Sequence, residues 1–387
     1  MECYLDNAAT TRALPEVCEL VSKVMYEEYG NPSSLHNKGL EGENIVKEAA
    51  RRIAKTLKCE PKNLVFTSGG TESNNMALIG TALANKRSGM HIITTCFEHA
   101  SVHEPLIYLE KSGFEVTYLP VNSQGHLEIE VLKKSLRPDT ILVSVMLVNN
   151  EIGSVLDVAE ISRIIKEYNA RIVFHVDAIQ AYGKMKIQPK KMGIDLMSVS
   201  GHKIHGPKGT GFLYHADKVK MHAYIHGGGQ QGGMRSGTEN VPGIAGIGLA
   251  AEIMDETLAE RREHLYEMKN SFIEQIKEIE GVMVNACEPP DLSATAPHIV
   301  SVSFDGVRSE VLLHALEDKG IYVSSGSACS SNHPGISGTL KAIGVPEERL
   351  DSTLRFSFSG FTTGEEIDYT IGCLKELVPV LARYRRH

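Results

Sequence analysis

The sequence predicts an α/β protein, a large domain with a mainly parallel sheet joined to a smaller α/β domain toward the C-terminus. Three observations predict it. Short β-branched or apolar runs alternate with helix-period segments through the first two-thirds of the chain, the pattern of strands joined by crossover helices. Runs such as Ile141 to Leu147 (ILVSVML) are apolar on both alternating faces, as a sheet covered on two sides requires. The length of 387 residues is about two to three times that of a common single domain. A Glu-, Lys- and Arg-rich helical stretch from Ile244 to Ile279 changes the composition, and the boundary falls inside it. The expected division is residues 15–258 for the large domain, with 1–14 and 259–387 forming the small one.

Taken in order, the candidate strands of the large domain are Leu64 to Thr67, His91 to Thr95, Val116 to Leu119, Ile141 to Leu147, Ile172 to Val176, Leu196 to Val199 and Gly211 to Tyr214. Between them, helical patterns such as Leu40 to Leu57, Ser73 to Asn85, Glu104 to Ser112 and Val158 to Tyr168 have the length of crossover connections. Beyond the boundary come strands at Val282 to Asn285 and His298 to Phe304, a helix from Ser309 to Lys319, and strands at Tyr322 to Ser324 and Leu354 to Phe358. Thr363 followed by Glu366 is a capping-box pattern that starts a last helix ending near Tyr384. The Gly/Ser-rich stretch Ser324 to Gly338 is expected to be mobile, and it contains Cys329.

Composition narrows the function. With 42% hydrophobic and 23% charged residues the chain is an ordinary globular one, which excludes disorder, collagen and coiled coil. A formal charge of -8 offers no field for a phosphate backbone or an anionic membrane, so no direct nucleic acid and no membrane are expected as partners. No apolar run approaches the roughly 20 residues of a bilayer span, and MECYLDNAATTR has neither a basic start nor an apolar core, so a cytoplasmic protein is expected. The 7 cysteines are scattered and form no CxxC, which suggests neither a disulfide framework nor a thiolate metal site. Six of them, Cys3, Cys18, Cys59, Cys96, Cys287 and Cys373, read as small buried apolar residues.

Lys203, in SGHKIHGPKG, stands just beyond the apolar strand DLMSVS, where parallel sheets open into a ligand crevice. The alternative is a solvated loop lysine. Asp177, with Gln180 three residues on, ends another apolar strand at the same sheet edge (FHVDAIQ). An acid there can hold a protonated pyridine nitrogen while a lysine forms a Schiff base with an aldehyde, and together they suggest pyridoxal phosphate. SGGTES follows strand LVFT and opens a helix, so Gly69, Gly70 and Thr71 offer N–H groups and a hydroxyl to a phosphate, or serve as an ordinary cap. His99 follows a third strand and either lies over a planar ring or is structural. Arg355, inside the strand LRFSF, needs an anion, either a substrate carboxylate or a structural partner. Cys329, among small residues, is the candidate nucleophile.

These segments, with MECYLDNAATTR, GNPSSLH, FEHASV, VNNEIG, HGGGQQGGMRSGTEN and VSSGSACSS, occur in order over essentially the whole chain and resemble the cysteine desulfurases of the nitrogen-fixation and housekeeping iron–sulfur group, within the class V aminotransferases. The resemblance implies the pyridoxal phosphate-dependent fold type I and conversion of L-cysteine to L-alanine with transfer of sulfur. By similarity, Lys203 would hold the cofactor covalently, Asp177 would pair with its ring nitrogen, Gln180 would bond the ring oxygen and His99 would stack on the ring and assist catalysis. Gly70, Thr71, Ser200 and His202 would hold the phosphate, joined by Thr238 from the second subunit of a homodimer. Asn150 and Arg355 would hold the substrate carboxylate. Cys329 would receive the sulfur as a persulfide, which could transiently ligate an iron–sulfur cluster; no resident metal is implied. The acceptor would be a protein such as an iron–sulfur scaffold or a tRNA-thiolation protein.

The SSGSAC form resembles the group with a mobile catalytic cysteine. Departures are Gly70 where Ala is usual, Ala100 after the stacking His, and His205 where Tyr or Phe is frequent. The chain ends at His387, soon after its last helix, without the extension that helps the housekeeping enzymes dock their scaffold. Rival readings are weaker. GGGQQG at Gly227 to Gly232 matches a nucleotide-loop pattern but lacks a following apolar helix, and HASVH lacks the HExxH of a metal hydrolase. A sulfur carrier without enzymatic activity would not need Lys203 and Asp177, and an aminotransferase would not need the Cys329 loop.

Overall fold

The computed structural model describes residues 1–286, 295–325 and 337–383. Strand β1 (Cys3–Tyr4) is followed by helices Pro15–Tyr26 and Asn37–Leu57 and then by the seven strands of the large sheet. These are β2 (Leu64–Thr67), β3 (His91–Thr95), β4 (Glu115–Leu119), β5 (Thr140–Met146), β6 (Val173–Asp177), β7 (Leu196–Ser200) and β8 (Gly211–His215). Their spatial order is β2-β8-β7-β6-β5-β3-β4. From β7 to β4 every neighbouring pair is parallel, and β8 alone runs against both its neighbours, so the sheet is mainly parallel. All residues of β3, β5, β6 and β7 are buried, as helices on both faces require. Helix Gly70–Asn85 connects β2 to β3 and is buried along most of its length, which explains its weak amphipathic pattern in the sequence.

The expected long helix across 244–279 is two helices, Val241–Glu256 and Leu258–Ile276, divided at Thr257. Thr257 leaves helical geometry (φ -102°, ψ 10°), its Oγ1 donates back to the Ile253 carbonyl, and it accepts from Arg261 Nε. That local competition for backbone groups breaks a pattern whose periodicity continues through it. Beyond lie β9 (Val282–Asn285), β10 (Ile299–Phe304), β11 (Ile321–Tyr322), β12 (Ser324–Ser325) and β13 (Thr353–Ser357), with helices Ser309–Glu317 and Gly364–Ala382. The single strand expected at Tyr322 to Ser324 is thus two: β11 pairs in parallel with β1, while β12 joins the antiparallel sheet β12-β13-β10-β9. The capping box at Thr363 and Glu366 forms as its sequence indicates. Phe272, Phe304, Phe356 and Phe358 pack together at ring separations of 4.7 to 6.4 Å in a buried cluster of this half.

His175 on β6 is buried in the large sheet between Ser144 (Nδ1 to Oγ, 2.8 Å) and Ser198 (Nε2 to Oγ, 3.0 Å). Burial pushes its pKa from 6.5 to about 3, so the folded chain keeps the ring neutral where an unfolded chain would protonate it. The unfolded state therefore binds more protons between those two values, and stability falls as pH drops through that window. A His175→Gln variant is expected to flatten the acid limb of the stability profile by up to one proton, about 1.4 kcal/mol per pH unit. Urea unfolding across the acid range checks this, and an acid limb as steep as that of the unsubstituted chain refutes it.

Candidate active site

The C-terminal ends of β5, β6 and β7, with the turns after β2 and β3, enclose a crevice of about 300 Å³. It lies where parallel α/β sheets bind ligands, because every parallel strand delivers its last residue and a helix N-terminus to the same edge. Gly70 and Thr71 follow β2, His99 follows β3, Asn150 follows β5, Asp177 closes β6, and Ser200 closes β7 ahead of the short 3₁₀ turn that carries His202 and Lys203. Gln180 lines the same space from the turn after Asp177, and Arg355 enters from β13 of the second sheet. Ten of the twelve residues singled out by sequence therefore meet in one crevice. Thr238 does not line it and is exposed, and Cys329 lies outside the described residues.

At one end the helix Gly70–Asn85 presents its first N–H groups, which have no acceptor within the helix. Gly69 precedes it at φ 150°, a backbone state that favours glycine. A Cβ on Gly70 would stand 2.2 Å from Ile179 Cδ1, so in this chain the Ile179 side chain fills the space that a larger residue at 70 would need. Ser200 and His202 flank this end, and His202 Nδ1 meets Thr10 Oγ1 at 3.1 Å. Burial and neighbouring lysines push the His202 pKa down to about 4, leaving the ring neutral.

Asp177 is buried at the floor. Burial raises its pKa, against two donors: Ile179 N–H to Oδ1 at 2.9 Å and Asn74 Nδ2 to Oδ2 at 2.8 Å. His99 caps the helix Ala100–Lys111, and its Nδ1 accepts the Ser101 backbone N–H at 3.1 Å and faces Ser101 Oγ at 2.8 Å. Burial lowers its pKa, so the ring is neutral and carries its proton on Nε2. Glu98 next to it is pushed up to about 8 by burial, with Thr95 Oγ1 and the Met146 N–H donating to Oε1.

Lys203 Nζ donates to the carbonyls of Ala8 and Ala9, each at 2.6 Å. The Ala8 carbonyl also accepts from Gln180 Nε2 at 2.9 Å, and Gln180 Oε1 meets His298 Nε2 at 3.3 Å. Lys184 stands behind, donating to the Lys203 carbonyl at 2.8 Å, and burial brings its pKa down to about 7. Arg355 is 3% exposed; Nη1 donates to the Asn150 carbonyl at 2.9 Å and Nη2 to Asp6 Oδ1 at 2.7 Å. Its Nε is enclosed and has no partner among the described residues.

Sequence reasoning passed over Ala8, Ala9, Asn74, Ser101 and His298. The alanines act through carbonyls, which any residue supplies, so no side-chain signal marks them. Asn74 carried one faint sign, an amide on a helix otherwise apolar toward the sheet. GGGQQG forms no helix start; it lies in bends that run into a short 3₁₀ turn at Gln231–Gly233, with Gln231 Oε1 accepting the Phe66 N–H. Among the described residues no cluster of three or more His, Cys, Asp or Glu could hold a metal ion. The uniform reading of the other cysteines needs correction: Cys3 and Cys373 are buried, Cys59 is half-buried, but Cys18 and Cys96 are exposed on the outer side of a helix and just past β3, and Cys287 lies outside the described residues.

Comparison with known proteins gives a consistent result. The family model described as aminotransferase class-V matches residues 3–370. Cysteine desulfurase IscS of Dictyoglomus turgidum is 44% identical over 98% of this chain and 95% of its own length. Among solved structures, a NifS-like protein superposes with a TM-score of 0.92 at 37% identity, covering 98% of this chain and 100% of that one. The structure of SspA in complex with cysteine superposes with a TM-score of 0.80 at 32% identity, covering 93% and 100%.

Proposed function

We propose, for a chain that belongs to the class-V aminotransferase family and within it to the cysteine desulfurases, that the crevice binds pyridoxal 5'-phosphate and turns L-cysteine into L-alanine, with the sulfur passing to Cys329 and then to an acceptor protein. The fold is that of the type I pyridoxal phosphate-dependent transferases. One observation carries the cofactor reading: an amine, Lys203, and a buried carboxyl, Asp177, stand on neighbouring strand ends and face the same crevice as Arg355 from the other sheet.

The donor set fits the group. The N–H groups at Gly70 and Thr71 with Ser200 and His202 suit a phosphate, the buried Asp177 suits a ring nitrogen that carries a proton, Gln180 has a remaining N–H for a ring oxygen, His99 suits a planar ring, and Lys203 suits an aldehyde. When bound, pyridoxal phosphate supplies an electron sink that stabilises charge at the substrate Cα and weakens its Cβ–Sγ bond. Lys203 Nζ, unprotonated, is the base for the Cα proton. Asp177 opposes the ring cation as a carboxylate, and Arg355 with Asn150 orients the substrate carboxylate. The Cys329 thiolate, a few per cent of the thiol at neutral pH from an ordinary pKa of about 8.5, takes the substrate sulfur. An S–S bond forms as Cβ–Sγ breaks, and alanine leaves. Ser324, five residues ahead of Cys329 in the sequence, pairs with Arg355.

The same reading makes the protein a cytoplasmic homodimer, divided into a cofactor-binding domain of residues 15–258 and a small domain of 1–14 and 259–387. Exposed Thr238 then serves the other subunit's phosphate site. Support comes from the apolar side chains of Tyr26, Tyr29, Leu35 and Tyr224, left in solvent on the single chain. No helix among the described residues is long and apolar enough to cross a membrane. The acceptor is an iron–sulfur scaffold or a tRNA-thiolation protein.

The deciding experiment measures alanine released from L-cysteine with added pyridoxal phosphate and a reductant. The unsubstituted protein is expected to release one alanine per cysteine consumed, and Cys329→Ala at least about tenfold less, some sulfur still leaving to the added thiol. A yellow protein that makes no alanine removes the substrate assignment. Full alanine release by Cys329→Ala would mean that the sulfur passes directly to the added thiol and would remove Cys329 as its acceptor.

A further inference from the structure

Asn74 sits in the second turn of helix Gly70–Asn85, fully buried, between the two titratable groups that flank the ring site. One Nδ2 hydrogen goes to Asp177 Oδ2 at 2.8 Å and the other to Ser101 Oγ at 2.9 Å. Ser101 Oγ also meets His99 Nδ1 at 2.8 Å, and because Nδ1 already accepts the Ser101 backbone N–H, the hydroxyl is the donor there. The amide can only sit this way round, because reversing it would set Oδ1 against the Asp177 carboxyl. Asn74 Oδ1 is in fact left enclosed with no partner among the described residues, so the orientation is kept although one acceptor goes unused.

We propose that Asn74 is a positioning residue that holds Asp177 as a carboxylate, its second N–H on Ser101 Oγ tying that carboxylate to the helix that His99 caps. This rests on the pyridoxal phosphate reading only for what the carboxylate then meets, a ring cation. Burial alone pushes both groups toward their neutral forms, which suits His99 and opposes Asp177. The Asn74 donor works against that tendency at Asp177 alone, since a carboxylate accepts an N–H better than a carboxylic acid does. The other charged or titratable groups facing the pair are Lys203 beyond β7, Arg355 on β13 and Glu98 beyond β3, and none of them donates a hydrogen bond to either side chain among the described contacts.

The test uses two readouts. The first is the pH midpoint of the visible absorbance of the lysine-bound cofactor in the holoenzyme, which rises when the ring nitrogen is less firmly protonated. The second is the side-chain carboxyl carbon signal of Asp177 in protein labelled with ¹³C-aspartate, assigned with Asp177→Asn. Asn74→Leu is expected to bind cofactor, to raise the midpoint by about half a pH unit or more and to move the Asp177 signal toward its protonated position. Ser101→Ala, which leaves the Asn74 bond to Asp177 in place, is expected to change neither readout. Should Asn74→Leu not fold, Asn74→Ala gives the same comparison. The inference is overturned if the Asn74 variant holds cofactor and titrates at the original midpoint with an unchanged Asp177 signal. If the unsubstituted protein takes up no pyridoxal phosphate, the cofactor reading fails, and the carboxyl signal alone then decides the inference.

Discussion

Lys203→Ala is expected to lower cysteine-dependent alanine release by about 10³-fold or more, with borohydride no longer fixing the cofactor to the chain. The amine has no substitute. Lys184 is close and has a pKa brought down to about 7, but it donates to the Lys203 carbonyl from behind and does not line the crevice. The substitution also leaves the Ala8 and Ala9 carbonyls without the Nζ that bridges them, so part of any loss could be structural. Lys203→Arg separates the two effects. It keeps a cation with donors for those carbonyls but cannot serve as the amine, and it is expected to fold as the parent and remain as inactive as the alanine variant. Alanine release within tenfold of the parent in either variant removes Lys203 from the chemistry.

Arg355→Lys is expected to raise KM for L-cysteine by roughly 10²-fold, with a smaller change in kcat. The guanidinium holds Asn150 on the large-sheet side and Asp6 on the N-terminal segment, and the residue lines the crevice. A lysine ammonium supplies the charge that Asp6 needs, so the fold should survive, but not the planar fork that meets a carboxylate. An unchanged KM would assign Arg355 a purely structural pairing with Asp6, the alternative that the strand sequence LRFSF left open. A rise in KM that added chloride or acetate does not mimic points to the specific carboxylate contact.

What the sequence discloses and what it hides divide along a physical line. Strand ends are legible because an apolar run terminated by a polar residue has both a pattern and a place; Asp177 and Lys203 are found that way and meet, while Ser200 is reached only through the family resemblance. Helix starts were displaced where a cap is unusual: Ala100–Lys111 begins ahead of Pro105, with His99 rather than Ser or Thr as its cap. The break at Thr257 was missed since the amphipathic period runs on through it. Hidden most completely are contacts distant in the chain. Strand β1 pairs with β11 across more than three hundred residues, two residues on each side, too short for a pattern. His298 meets Gln180 from the other sheet, which no local spacing could indicate.

The segment from Cys3 to Thr11 has a consequence for how the molecule is made. It leaves the ribosome more than three hundred residues ahead of its partners: Asn7 Nδ2 and the Ala8 N–H are held by Ser357, β1 by Ile321 and Tyr322, and Asp6 by Arg355. Until those late residues have been synthesised, the Ala8 and Ala9 carbonyls cannot be fixed over Lys203, and the crevice lacks a wall. Domains tend to fold as they emerge, so the large sheet can form early while its ligand site waits for β11 and β13. Cofactor capture is thereby a late event, and nascent chains halted before Arg355 should fold their sheet yet fail to retain pyridoxal phosphate.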